Sequence, residues 1–294
     1  MDFTGNIVAL VTPLRNGSLD TEAFTRLIER VIAGGVSGIV PCGTTGESPT
    51  LTHQEHDEVI RLAVETAAGR VPVIAGTGSN STAEAVRLTK AAAASGANAV
   101  LSVSPYYNKP TQDGLVAHFR TIGDASDLPV VLYDIPGRCG VQLALESTVS
   151  LAEHPNIQAI KVATGDVEDI CRIRQHTDLD TLSGDDSLTL PMLSLGASGV
   201  ISVISNLLPR RMTRLVEAAH EGDFHAALEE HNMMYSLMKA MFVESNPAPI
   251  KAAMAMMGWL ANELRLPLCP VSPAGMNLIE KELAPFLDEL ERDR

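Results

Sequence analysis

The stretch Ile157-Gln158-Ala159-Ile160-Lys161-Val162-Ala163, followed by Thr164-Gly165, decides how the chain is read. Short, isoleucine-rich and stopped by a turn, it has the form of a strand buried on both faces in a parallel sheet. Lys161 is its one ammonium. That lysine fits either of two roles: the solvent end of the strand, or an amine held inside the protein. Burial penalises the charged form and draws the pKa toward neutrality, which frees the amine to attack a carbonyl.

Seven further runs of the same kind occur, at Ile7–Val11, Gly38–Pro41, Val71–Ala75, Ala97–Val103, Pro129–Tyr133, Thr181–Ser183 and Gly199–Val203. Helical patterns separate them. In the first, Asp20 is suited to an N-cap, Phe24, Leu27, Ile28, Val31 and Ile32 share one face, and Gly34-Gly35 closes the helix. Thr52-x-x-Glu55 and Ser81-x-x-Glu84 have the capping-box pattern and open the next two. The alternation predicts βαβ units, and eight of them predict an α/β fold of the (β/α)8 TIM-barrel type, for which about 250 residues is typical. A doubly wound open sheet is the alternative, but no GxGxxG follows the first run.

Beyond Val203 the pattern is helical, at about Pro209–Glu221, Phe224–Phe242, Pro247–Met257 and Pro273–Glu291. Only the first of these is needed to complete a barrel. The chain is therefore expected to comprise a catalytic barrel over 1–222 and a C-terminal helical appendage over 223–294, packed as one unit without a linker.

The 294 residues are 45% hydrophobic and 20% charged, as a soluble protein with a sizeable core requires. A net charge of −14 argues against non-specific binding to nucleic acid or to an anionic membrane. Cys42, Cys139, Cys171 and Cys269 are widely spaced, which fits free thiols in a reducing compartment. No signal-peptide pattern and no apolar run of about 18 residues is present, so a cytoplasmic location is expected.

In such a barrel the active site lies at the C-terminal ends of the strands. Polar residues collect there. Gly43-Thr44-Thr45-Gly46-Glu47-Ser48 follows the second run and Ser104-Pro105-Tyr106-Tyr107-Asn108 the fourth. Tyr133-Asp134-Ile135-Pro136-Gly137-Arg138 ends the fifth, Lys161 the sixth and Gly184-Asp185-Asp186 the seventh. The glycine-threonine segment fits a plain turn or a cradle of N–H groups for a small anion. Tyr106, Tyr107 and Tyr133 fit either a wet core edge or a proton shuttle beside a Schiff-base lysine. Arg138 fits a solvated loop or a carboxylate clamp.

Taken in order, Gly43-Thr44-Thr45-Gly46-Glu47, Tyr133-x-x-Pro136-x-Arg138, Lys161 and Gly184-Asp185-Asp186 closely resemble the dihydrodipicolinate synthase family of pyruvate-dependent class I aldolases. The resemblance runs from about Phe3 into the C-terminal helices. It implies condensation of pyruvate with L-aspartate 4-semialdehyde, on the route to lysine and diaminopimelate, through an imine on Lys161. It further implies that the Thr44–Thr45 turn holds the pyruvate carboxylate, and that Tyr133, Thr45 and Tyr107 relay protons. Arg138 would bind the second substrate, and main-chain groups near Gly184 and Ile201 would shape the pocket. No metal or organic cofactor is implied. Tyr107 would act across a dimer interface, within a homotetramer built of two dimers. An L-lysine effector site is implied at Ser48, Pro49, His53, His56, Asn80, Glu84 and Tyr106. His53 and His56 alone, three residues apart, make a weak metal pattern.

Cys139 and Val162 depart from the family pattern, which has threonine and an acidic residue there. Val162 is expected to point away from Lys161, because strand side chains alternate. Another pyruvate aldolase, such as N-acetylneuraminate lyase or a 2-keto-3-deoxy sugar acid aldolase, is the alternative activity. Arg138 discriminates, since a polyhydroxylated substrate is better served by neutral donors. A non-catalytic amino-acid-binding barrel is the remaining alternative.

Overall fold

Apolar runs of three to six residues become eight parallel strands: β1 Gly5–Ala9, β2 Gly38–Val40, β3 Ile74–Gly76, β4 Ala99–Val103, β5 Val130–Asp134, β6 Ile157–Val162, β7 Asp180–Ser183 and β8 Gly199–Ser202. The computed structural model describes residues 1–292, so positions 293 and 294 of the expected C-terminal region lie outside the described residues. The strands are ordered β2-β1-β8-β7-β6-β5-β4-β3, and a parallel bridge between Ile39 and Val73 joins the two ends into a barrel.

The alternation of side chains sorts each strand into an inner and an outer layer. Ile7, Ala9, Val40, Ile74, Leu101, Val131, Tyr133, Ala159, Leu182 and Ile201 fill the interior, with Phe3 among them. Val8, Ile39, Val100, Leu132, Ile160, Val162 and Val200 face the surrounding helices. Val162 thus lies on the outer face, as the strand period requires, and Lys161 on the inner one.

Between strands run α1 Thr21–Ala33, α2 His53–Ala67, α3 Thr82–Ala94, α4 Gln112–Gly123, α5 Leu145–Ala152, α6 Glu168–His176, α7 Thr189–Ser194 and α8 Pro209–His220. The Asp20 carboxylate caps α1 through the Ala23 N–H at 3.0 Å. At Thr52 both halves of a capping box form, Thr52 N–H to Glu55 at 2.9 Å and Glu55 N–H to Thr52 Oγ1 at 3.2 Å. The second expected capping box does not form. The Ser81 side chain makes no cap bond, and the reciprocal half is lost because the Glu84 carboxylate turns instead to Ser79 Oγ (2.5 Å) and His53 (2.9 Å).

Past the barrel lie α9 Phe224–Ala240, α10 Ala248–Met256 and α11 Pro273–Leu283. One helix was expected over Pro273–Glu291. It is interrupted by a 3-10 turn at Ala284–Phe286, and a short helix Leu287–Arg292 follows. Pro285 lacks the N–H for the helical ladder, and its ring crowds the preceding turn. Polar links tie these helices to the barrel. Lys251 of α10 pairs with Glu47 at 2.5 Å, and Arg265 donates to Glu55 at 2.5 and 2.7 Å.

Candidate active site

Lys161 projects from the penultimate position of β6 into the top of the barrel and is only 5% exposed. Strand pairing sets it beside Tyr133, and its Nζ lies 4.2 Å from the centre of that ring. Burial lowers the Lys161 pKa to about 8; the carboxylate of Asp186 opposes the shift and the Arg138 guanidinium reinforces it. Burial likewise pushes the Tyr133 phenol up to about 12, although Arg138 and a hydrogen bond with Thr44 pull the other way. At neutral pH the site therefore offers a partly neutral amine beside a protonated phenol.

The segment after β2 brings the second set of groups. Gly46 N–H and Ser48 N–H both donate to the Gly43 carbonyl, at 3.1 and 3.4 Å, and Glu47 N–H donates to Thr44 O at 3.1 Å. This turn leaves the N–H groups of Thr44 and Thr45 without a partner among the described residues. Tight contact holds it in place: a Cβ at Gly76 would fall 2.2 Å from the Cys42 carbonyl oxygen, so only glycine fits there.

Gly184 has a related role at Lys161. A Cβ on it would lie 3.0 Å from Lys161 Cε and 2.9 Å from the Val162 carbonyl oxygen. Ile201 contributes its side chain to the interior layer beneath the pocket. Thr44, Thr45, Tyr133, Arg138, Lys161 and Gly184 line one cavity of about 50 Å³, enough for a few water-sized groups.

One detail differs from what the sequence resemblance implies. Tyr133 shares its hydrogen bond with Thr44, whereas the Thr45 hydroxyl, buried, accepts from Asn246 Nδ2 at 3.1 Å. Tyr107, which the resemblance assigns to a partner's site, lies outside the pocket of its own chain: it is 89% exposed and sits in the left-handed region at φ +73°.

The sequence reading gave no role to Asn246, and none to Asp186 beyond its motif. Asp186 is buried; its Oδ2 accepts from the N–H groups of Val203 (3.1 Å) and Ile204 (2.8 Å), and burial pushes its pKa up to about 6. Its place in the Gly-Asp-Asp motif was the available signal. Asn246 carried none, because it precedes a proline in a connection between two helices. Cys139 is buried and donates to the Ser104 carbonyl oxygen at 3.1 Å, so it stabilises the turn that carries Arg138. Among the described residues no group of three or more His, Cys, Asp or Glu side chains is arranged to hold a metal ion.

This constellation of buried lysine, adjacent tyrosine and threonine turn coincides with a match between residues 2–284 and the model of the dihydrodipicolinate synthetase family. The chain belongs to that family. The 4-hydroxy-tetrahydrodipicolinate synthase of Pelobacter propionicus is 51% identical over 274 residues, covering 92% of this chain and 94% of that one. Dihydrodipicolinate synthase from Aquifex aeolicus superposes with a TM-score of 0.96 at 47% identity, over 98% of this chain and 99% of that one. A structure from Cyanidioschyzon merolae, solved with lysine bound, superposes with a TM-score of 0.93 at 42% identity, over 96% and 97% of the two chains.

In this dihydrodipicolinate synthetase family member a second cavity, of about 340 Å³, adjoins the first and shares Thr44, Tyr133 and Arg138 with it. Ser48, Pro49, His53, His56, Glu84 and Tyr106 line it. Asn80 does not; its carbonyl accepts from Asn108 Nδ2 at 2.9 Å. Bonds from Ser79 and then His53 hold the Glu84 carboxyl below its usual range, so it is an anion at neutral pH. His56 is buried with Nε2 2.9 Å from the Gly76 carbonyl oxygen, and burial lowers its pKa.

The direction of the Lys161 shift gives a signed pH response. Only the neutral amine attacks a carbonyl, and its share rises as pH climbs through about 8. The initial rate of borohydride-trapped adduct formation with pyruvate should therefore increase roughly tenfold between about pH 7 and about pH 9. Mass mapping should place the reduced adduct on the Lys161 peptide. A rate that falls across this interval, or label on a different lysine, would contradict the assignment.

Proposed function

We propose that the protein condenses pyruvate with L-aspartate 4-semialdehyde to give 4-hydroxy-tetrahydrodipicolinate, in lysine and diaminopimelate biosynthesis, with Lys161 as the Schiff-base nucleophile. The observation that carries this reading is the buried Lys161 amine, lowered toward neutrality beside Tyr133, in a chain of this family. Lys161 Nζ adds to the keto carbon of pyruvate and water leaves. Loss of a methyl proton gives an enamine, whose carbon attacks the aldehyde of the second substrate. The amine of that substrate then adds to the imine carbon, closes the ring and releases Lys161. The protonated imine accepts the electron pair during enamine formation, so no step is assigned to a metal or an organic cofactor.

The unpartnered N–H groups of Thr44 and Thr45 suit the pyruvate carboxylate. Because Tyr133 bonds to Thr44, we assign the middle of the proton relay to Thr44 and carboxylate binding to Thr45. Gly184 and the Ile201 segment form the wall and floor beside the imine carbon. Four free cysteines and the absence, among described residues, of a helix long and apolar enough to cross a membrane support a cytoplasmic enzyme.

Arg138, at the cavity mouth, is assigned to the carboxylate of the semialdehyde. Wild type should catalyse the pyruvate–semialdehyde condensation and fail to cleave N-acetylneuraminate. Arg138→Ala should keep the pyruvate adduct but lose at least tenfold in kcat/KM for the semialdehyde, since a charge-assisted hydrogen bond contributes about 1.5–3 kcal/mol. Efficient N-acetylneuraminate cleavage, or an Arg138→Ala enzyme with unchanged semialdehyde KM, would overturn the assignment.

The exposure of Tyr107 supports a role in a partner's site, completing the Tyr133–Thr44 relay within a dimer, two of which form a tetramer. Mixed assemblies of Tyr107→Phe and Lys161→Ala chains should recover activity that neither parent has. Verified hybrids that stay inactive would place Tyr107 outside the relay of its neighbour.

The second cavity is assigned to L-lysine as an inhibitor, with the Glu84 carboxylate facing an ammonium group; the lysine-bound relative supports this choice. Calorimetry should detect L-lysine binding to wild type and a loss of at least tenfold with Glu84→Ala. No heat with wild type, or equal affinity in the variant, counts against the site.

A further inference from the structure

One buried polar side chain of the pocket has no part in the scheme above. Asn246 reaches the barrel from the connection between α9 and α10 and is 4% exposed. It lines the Lys161 cavity, its Nδ2 donates to Thr45 Oγ1 at 3.1 Å, and its main-chain carbonyl accepts from Arg138 Nη2 at 3.4 Å. Asn246 Oδ1 is buried with no protein partner. One residue of the C-terminal helices therefore touches both groups assigned to substrate carboxylates.

We infer that Asn246 is a positioning residue that fixes the polarity of the Thr45 hydroxyl and the placement of Arg138. A hydroxyl has one hydrogen to donate and two lone pairs. With an amide N–H occupying one lone pair, the Thr45 hydrogen is left for the cavity, where a carboxylate oxygen would accept it. The same backbone carbonyl restrains the Arg138 fork at the cavity mouth, so less freedom is lost when a second carboxylate docks. The inference rests on the reading that Thr45 and Arg138 bind the two carboxylates, and it adds the device that orients them.

An acceptor in place of the amide makes the discriminating test. Aspartate has the shape of asparagine, but its ionised carboxylate only accepts; it would draw the Thr45 hydrogen away from the cavity and oppose a substrate anion. Full-length wild type, Asn246→Ala and Asn246→Asp are compared by steady-state kinetics, borohydride trapping and thermal unfolding. Asn246→Ala should raise the KM for pyruvate about tenfold with little change in kcat, the pattern of lost binding common to ground and transition states. It should leave the semialdehyde KM near wild type, because the main-chain carbonyl that restrains Arg138 is retained. Asn246→Asp should be worse than Asn246→Ala despite its closer shape, which a mere packing role does not predict. An unchanged pyruvate KM in Asn246→Ala, or wild-type pyruvate affinity in Asn246→Asp, overturns the inference. If Asn246→Asp does not fold, the Asn246→Ala result decides. A wild type that traps no pyruvate adduct would sink the functional reading and this inference together, whereas a wild-type adduct with unaffected variants sinks the inference alone.

Discussion

The ion pair between Glu47 and Lys251, at 2.5 Å and with both side chains essentially removed from solvent, is the contact on which the pocket depends. Burying two ions costs several kcal/mol each and is offset only by close geometry and further hydrogen bonds. Both conditions hold. Lys251 Nζ also donates to the Thr12 carbonyl at 3.0 Å, and Glu47 Oε2 accepts from the Arg265 N–H at 3.2 Å. Glu47 itself sits at φ +55°, in the left-handed region that a non-glycine residue adopts only when its surroundings require it. The pair thus locks the turn bearing Thr44 and Thr45 against α10, and it fixes the connection that delivers Asn246. Removing one partner of such a pair typically costs about 3–5 kcal/mol, because the other charge stays buried.

Two buried lysines therefore differ in their surroundings. Burial lowers both, but at Lys251 the carboxylate of Glu47 is in direct contact and favours the ammonium. Lys161 has no ion-pair partner among the described residues; Asp186 acts on it only at longer range, and its carboxylate already accepts two main-chain N–H groups. Its amine consequently titrates near neutrality. The difference between an anchoring lysine and one whose amine is drawn toward neutrality is a single adjacent carboxylate.

The two cavities share Thr44 and Tyr133 as a common wall, so the turn after β2 is exposed to events on both sides. On one side it meets Lys161 through Tyr133. On the other it continues into Ser48 and Pro49 and then into α2, which presents His53 to Glu84. A ligand that altered the His53–Glu84–Ser79 bonds would act on a turn only a few residues from Thr44 and the wall it shares with Tyr133. Coupling over so short a path needs no large movement of the barrel.

The barrel was legible because its signal is periodic and local. Residues such as Ile7 and Ala9, or Ala159 and Lys161, declare one face by alternation, and Asp20 and Thr52 declare helix starts within a turn of their own backbone. The gathering of polar groups at strand ends was legible for the same reason: the fold places those ends at one rim, so Lys161, Tyr133, Arg138 and the threonine turn line one cavity. Local patterns misled where a competing partner lay elsewhere in the chain, as when Glu84 left the Ser81 cap for Ser79 and His53. They also missed the interruption that Pro285 makes in the last helix. Only the tertiary structure could pair Tyr133 with Thr44 and give Thr45 to Asn246, which is 201 positions away. The sequence determined which groups reach the rim, because strand direction and period set that. Which hydroxyl meets which partner depended on packing between distant segments, and hydrogen bonds of about 3 Å are decided by that packing alone.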